Sequence, residues 1–368
     1  MKNQLLTLLM ICPAFVIAQK NVDLDRYKVR VQFRSLPAVQ LDSAYHTYSV
    51  EVEGSRMMQA FLQEGAPERT VDLKGWRKLP ELGHLQVKVN VEDLLPESIS
   101  VKERVEQIKN RSGQITGTRV LYQQQVVYSF AATAVITDYK GMHIMDEVLA
   151  DRENKQVFNS PEFAFKKMAE AYFMLNSMNT TGDLYRACVT RAMHNLSNRM
   201  TNNFGFEEVT ANDIMWIVDS KKHPEYEAHR KAFRELNNVL FSLTADKPLD
   251  GVRKELDPVI SYFESIKKTY STESKHDRKM RYASYFNLAV LYYYLDDPQA
   301  MMKEATGLIL NDYDARDGKK FEESATRLKD EFKRANIYTR HFKIDPQTFK
   351  GPFEGQDQTS KQHTGTFQ

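Results

Sequence analysis

Residues 281–311 read RYASYFNLAVLYYYLDDPQAMMKEATGLILN. Tyr285, Leu288, Ala289 and Tyr292 fall at i, i+3, i+4 and i+7, which predicts a helix whose apolar stripe is wide enough to be buried. Asp296-Asp297-Pro298 ends that helix and starts another: Asp297 can cap exposed amides, and Pro298 suits the first helical position, where no donor is needed. Ala300, Met301, Ala305 and Leu308 give the second helix its own face. Small residues at Ala289, Ala300 and Gly307 would let two antiparallel helices approach closely, as in a helical hairpin.

Helical spacing extends outward over residues 160–342. Ser160-Pro161-Glu162 is a helix start signal, and there the apolar period changes from two to 3.6, which places a domain boundary at Ser160. Phe165, Met168, Ala169, Tyr172 and Leu175 form one helical face, closed by Asn179-Thr180-Thr181-Gly182; Leu184, Cys188, Ala192 and Leu196 form the next. Thr210-Ala211-Asn212-Asp213 reads as a capping box before a helix at 214–218. Further helices are expected over 224–243, around Val259, Ile260, Phe263 and Ile266, and around Phe321, Ala325, Leu328 and Phe332. Residues 343–368 turn to Gly, Gln, Thr, Ser and Lys, and a disordered tail is expected.

Residues 19–159 read differently. Tyr27, Val29, Val31 and Phe33 alternate with polar residues, as do Tyr48, Val50 and Val52, and Leu85, Val87, Val89 and Val91. Period two predicts half-buried strands, with more over 99–108, 119–136 and 142–157. Residues 56–82 are an irregular excursion in which Trp76 is expected to anchor packing. The fold class is therefore α+β: an N-terminal antiparallel β-sandwich-like domain at 19–159, then an all-α helical-hairpin domain at 160–342.

Residues 1–18 carry a basic start at Lys2, an apolar run over 5–18 and Val16-Ile17-Ala18 before Gln19, the pattern of a signal peptide cut after Ala18. Ile11 before Cys12 argues against a lipoprotein anchor. The mature chain then holds only Cys188, so no internal disulfide is expected, which suits export to a bacterial periplasm or outer membrane. With 51 basic and 49 acidic side chains spread without blocks, nothing points to nucleic acid or an anionic membrane surface.

The helical pair at 281–311 resembles a tetratricopeptide (TPR) repeat. Tyr285, Leu288, Ala289 and Tyr292 match its first-helix positions, and Ala300 and Gly307 match its two small second-helix positions. The turn is one residue shorter than the pattern, and Glu304 stands where an aromatic is usual. The resemblance implies that Phe286, Asn287, Val290, Tyr293 and Tyr294 face the concave groove where such repeats bind partners. The alternative is that Tyr293 and Tyr294 pack on a neighbouring helix.

Signs of chemistry are sparse. His223 and His229 are six apart, which on a helix points them in different directions, unlike a zinc pair at i, i+4; a solvated helix start is expected there. Cys188 lies on an apolar face, where its thiol would be inert. No Gly-x-Ser-x-Gly, Ser-x-x-Lys or glycine-rich phosphate loop occurs. The reading is a non-enzymatic, cofactor-free and metal-free scaffold of the bacterial envelope that binds a protein partner through its helical domain. The alternative is a glycan or small-molecule module using the β-domain or an interdomain cleft, with Trp76 or Tyr139 as platforms.

Overall fold

A computed structural model describes residues 22–56 and 58–354. The signal peptide expected at 1–18 and the last part of the expected tail, 355–368, lie outside the described residues. The architecture is α+β, with strands in three sheets before a largely helical C-terminal region. Its two compact units are not the two sequential halves. A sheet unit takes residues 34–208, 334–337 and 343 onward; a helical unit takes the residues before 34, 209–333 and 338–342. The boundary expected at Ser160 is therefore corrected, because the chain after it first supplies a helix to the sheet unit.

The helical unit opens with strand β1 (Leu24–Arg34). In the sheet unit follow β2 (Thr47–Gly54), the short helix α1 (Gln59–Gly65), β3 (Arg77–Lys78), β4 (Leu85–Val91), β5 (Leu95–Lys109), β6 (Ile115–Ser129), β7 (Ala132–Asp138), β8 (His143–Ala150) and β9 (Gln156–Asn159). One sheet has the order β3-β2-β4-β7-β8, and β2 runs parallel to both β3 and β4, so it is mixed where a purely antiparallel arrangement is expected. Separating β2 from β4 by α1 and the 56–82 excursion is what permits parallel pairing, since a tight hairpin would force the antiparallel one. A second sheet, β5-β6-β9, is antiparallel.

Helix α2 (Lys166–Phe204) crosses the region where a break is expected at residues 179–182. Gly182 does not end it. A Cβ there would collide with the ring of Phe61 from α1, so the glycine provides clearance and the helix runs on. Tyr185, Val189, Ala192, Met193, Leu196 and Met200 bury against Val87, Val89, Ile136 and their neighbours to form the sheet unit's core.

Residues 343–354 are ordered, contrary to the expected disorder. A 3-10 turn at Pro346–Thr348 is capped by Asp345, Phe349 stacks on His46 at 4.4 Å, and Arg77 donates to the Phe349 carbonyl (2.6 Å) and pairs with Glu354 (2.8 Å). The Phe349 ring and these polar contacts tie the stretch to β3 and His46.

The helical unit continues with β10 (Glu208–Val218), α3 (Tyr226–Ser242), α4 (Leu249–Thr269), α5 (Lys275–Tyr294), α6 (Pro298–Asn311) and α7 (Ala315–Ala335). Strand β10 replaces the capped helix expected at 214–218: β1 offers an unpaired strand edge, and β10 satisfies it. Helices α5 and α6 form the expected hairpin, with Asp297 accepting from the Ala300 amide (3.0 Å) and Gly307 leaving room for the Tyr285 ring. Glu304 is buried and paired with Lys267 (2.7 Å), whose ammonium sits 4.7 Å over Tyr285. The ion pair occupies the place of the usual aromatic, and burial raises the Glu304 pKa against the pull of Lys267.

Candidate interaction surface

The five residues assigned to a concave groove are not free to meet a partner. Phe286, Asn287, Val290 and Tyr294 are buried and Tyr293 is half-buried. The unit's own chain covers them. The Asn287 amide accepts from the Trp216 N–H (2.7 Å) and donates to the Trp216 carbonyl (2.8 Å), clamping β10 as a neighbouring strand would. Phe286 meets the rings of Trp216 at 6.1 Å and Phe321 at 5.0 Å, and the Tyr294 hydroxyl donates to Asp213 (3.1 Å). Val290 joins the cluster that holds Val29, Val31 and Ile217 of the β1–β10 pair. Beside them Arg340 stacks between Phe33 (4.3 Å) and Tyr293 (4.5 Å) and pairs with Asp296 (2.7 Å). Burial alone would lower the pKa of that guanidinium, but Asp296 and Tyr293 outweigh it and hold it raised.

The exposed apolar surface lies in the sheet unit, on the first turns of α2. Met168, Ala171, Leu175, Met178, Gly182, Tyr185, Val189, Ala192 and Leu196 follow one another at alternating intervals of three and four, a heptad seam. From Gly182 onward this seam is in the core. Before it, Met168, Leu175 and Met178 meet solvent while Ala171 is half-buried: Leu175 is 79% exposed, Met178 78% and the flanking Met174 81%. No charged residue occurs from Ala171 to Gly182.

The opposite side of these turns explains the orientation. Ala169 is fully buried, Tyr172 stacks on Phe158 at 6.3 Å, and Phe173 sits edge-on to Tyr128 at 6.4 Å. The Gln124 side chain accepts from the Phe173 amide (2.8 Å) and donates to the Glu170 carbonyl (3.1 Å), fixing helix to strand. Of the face read as Phe165, Met168, Ala169, Tyr172 and Leu175, the structure turns Ala169 and Tyr172 inward and leaves Phe165, Met168 and Leu175 outside. Residue spacing put these five on one face, but which of them are covered is set by β6 and β9, which pack on the Ala169, Tyr172 and Phe173 side of the helix.

The β5–β6 hairpin also carries exposed apolar residues. No residue of β5 is buried, and Ile99, Val105, Ile108, Ile115 and Val120 are all exposed. Asn110 holds the tip by accepting from the Ser112 and Gln114 amides, and Arg104 makes a bidentate pair with Glu162.

Sites for small ligands are less developed. Trp76 is largely buried and donates to the Phe204 carbonyl (2.8 Å), and its edge lines a cavity of about 360 Å³ with Tyr45, His46 and Phe206; Tyr139 is half-buried among Tyr45, His84 and Phe353. An open depression of about 710 Å³ over β2, β4 and β7 is lined by Glu51, Gln86, Lys88 and Thr137 and has no aromatic wall. His223 and His229 are buried, not solvated as expected: His229 stacks on Phe233 at 5.2 Å and accepts from the Val218 amide (3.4 Å). Among the described residues no group of three His, Cys, Asp or Glu is placed to hold a metal. Burial pushes the Cys188 thiol up. No helix among the described residues is long and apolar enough to cross a membrane.

No family model and no curated protein matches the chain. Among solved structures it is similar to a neuraminyllactose-binding hemagglutinin homolog from Helicobacter pylori, at 10% identity over 53% of this chain and 94% of that one, with a TM-score of 0.17. A likeness at that score carries no argument about fold or activity.

Proposed function

We propose that this chain is a non-catalytic interaction protein that docks a protein partner on the exposed seam of α2. The observation that carries this reading is the seam itself: one heptad stripe is core beyond Gly182 and, uncharged and rich in methionine, faces water before it. Contiguous exposed apolar surface of this kind marks interaction sites, and methionine suits them because its side chain adapts to different neighbours. The leader pattern at residues 1–18 supports placing the protein outside the cytoplasm, in a Gram-negative envelope. The TPR-like hairpin then serves as a rigid element, since the surface by which such repeats bind is occupied by β1, β10 and Arg340.

A photo-crosslinking residue at Leu175 in the intact protein tests this in envelope extract. The expected result is a discrete crosslinked protein adduct that is absent when the probe sits at Lys231, and that is lost on Met178→Asp with the melting temperature unchanged. Absence of any adduct at Leu175 would remove the reading. A glycan array run on the same preparation tests the carbohydrate alternative.

A further inference from the structure

We infer that the cavity of about 360 Å³ beside Trp76, within the sheet unit, binds a small amine that carries an aromatic ring, with the ring inside and the ammonium against Asp42. This site is separate from the exposed turns of α2 and does not depend on the interaction reading above. Its volume falls within the roughly 300–1,000 Å³ of small-molecule sites. The inner wall is apolar: Tyr45, Trp76 and Phe204 are buried, and Val39, Leu41 and Phe206 are half-buried. Tyr45 and Trp76 keep only 8% and 7% of their surface exposed, so each shows the cavity a ring edge, and ring edges pack best on the face of another ring. The polar lining residues Gln40, Asp42, Ser43 and Asn336 are all exposed and stand at the mouth.

The inner wall has its hydrogen bonds already made. The Trp76 indole N–H donates to the Phe204 carbonyl (2.8 Å), the Tyr45 hydroxyl donates to Asp138 (3.1 Å), and the Phe206 amide donates to the Lys74 carbonyl (2.9 Å). A sugar carries hydroxyls around its whole edge and would turn some of them toward these spent groups. Each unmade hydrogen bond weakens binding by roughly tenfold. An aromatic body makes no such demand.

Charge then selects the head group. Among the described residues that line the cavity, Asp42 carries a full charge and no Lys or Arg opposes it. One Asp42 oxygen accepts from the Ala44 amide (3.0 Å), which fixes the carboxylate in a turn and leaves its other oxygen for a ligand. Burial lowers the His46 pKa from 6.5 against the pull of the Ser43 carbonyl, so that imidazole adds no positive charge near neutral pH. An ammonium is therefore drawn to the mouth and a carboxylate repelled. Because Asp42 is exposed, the preference is modest, about two- to fivefold in affinity, and salt screens it.

Isothermal titration calorimetry on the purified full-length chain tests the inference with three probes that share a ring and differ in the head: phenethylammonium, phenethyl alcohol and hydrocinnamate. At low salt the ammonium should bind with a dissociation constant on the order of 100 micromolar, the alcohol about two- to fivefold more weakly, and the carboxylate more weakly still. Asp42→Asn keeps the oxygen that the Ala44 amide needs, and should make the ammonium and the alcohol bind equally. Leu41→Trp fills the cavity and should abolish binding of all three, with circular dichroism melting as the control for folding. A phenylalanyl-glycine amide carries the same ring and ammonium: tighter binding than the simple amine assigns the ligand as a peptide N-terminus, weaker binding as a free amine, and either keeps the site. No heat with any probe up to about 10 millimolar overturns the inference. So does tighter binding of the carboxylate, a preference for the ammonium that survives in Asp42→Asn, or undiminished binding by folded Leu41→Trp. Binding of methyl glucoside in place of the ring compounds would assign the cavity to carbohydrate and also overturn it.

Discussion

His229 illustrates how a single residue ties stability to pH. It is fully buried in an aromatic pocket of Phe233, Tyr262 and Phe263, and burial, with His223 and Arg230 adding to it, lowers its pKa from 6.5 to about 3. The unfolded chain binds a proton on this imidazole below about pH 6.5, whereas the folded one refuses it until about 3. Between those values the unfolded state holds more protons, so this residue's contribution is intact above pH 6.5 and is lost progressively as pH falls. The expected outcome is a melting temperature that declines on acidification through this window in the wild type and declines less in His229→Phe. Parallel pH profiles for the two proteins would show that His229 is not the group responsible. Nothing in the sequence around His223 and His229 signals this burial, because it depends on α4 arriving from about thirty residues downstream to supply Tyr262 and Phe263.

At the scale of elements, α2 shows a local rule overridden by a neighbour. Glycine inside a helix ordinarily costs about 1 kcal/mol relative to alanine, so Gly182→Ala should stabilise a free helix. In this protein the added methyl meets the Phe61 ring, and the overpacking cost of roughly 1–3 kcal/mol should outweigh the propensity gain. Gly182→Ala is therefore expected to lower the midpoint of chemical denaturation, and to raise it when combined with Phe61→Ala relative to Phe61→Ala alone. Equal effects in both backgrounds would mean that the ring moves aside freely. A similar override acts at residues 210–218, where a capping-box pattern lies on a strand, since pairing with β1 offers more hydrogen bonds than one helical turn.

For the whole molecule, chain order and compact units disagree. Residues 34–208 include the helix that covers the five-stranded sheet, so a fragment ending at residue 159 would expose Val87, Val89 and Ile136 to water. Expression of residues 19–159 should yield aggregated or unfolded material, whereas residues 34–208 should retain more native sheet signal in circular dichroism; a soluble, cooperatively melting 19–159 fragment would contradict this division. On α2 spacing gave two faces broken at 179–182 and not the continuous seam through Gly182, whereas the α+β class, most strand and helix positions, and the 281–311 hairpin with its Asp297 cap and close-packing Gly307 were legible from residue spacing and turn chemistry. These depend on neighbours within a few residues, where the backbone's two periodicities act directly. Only the tertiary structure decided which stripes are covered: it closed the surface of Phe286, Asn287, Val290, Tyr293 and Tyr294 with β1, β10 and Arg340, and left Met168, Leu175 and Met178 open. Whether an apolar face is core or interface is set by what distant segments pack upon it, and spacing along the chain carries no record of that.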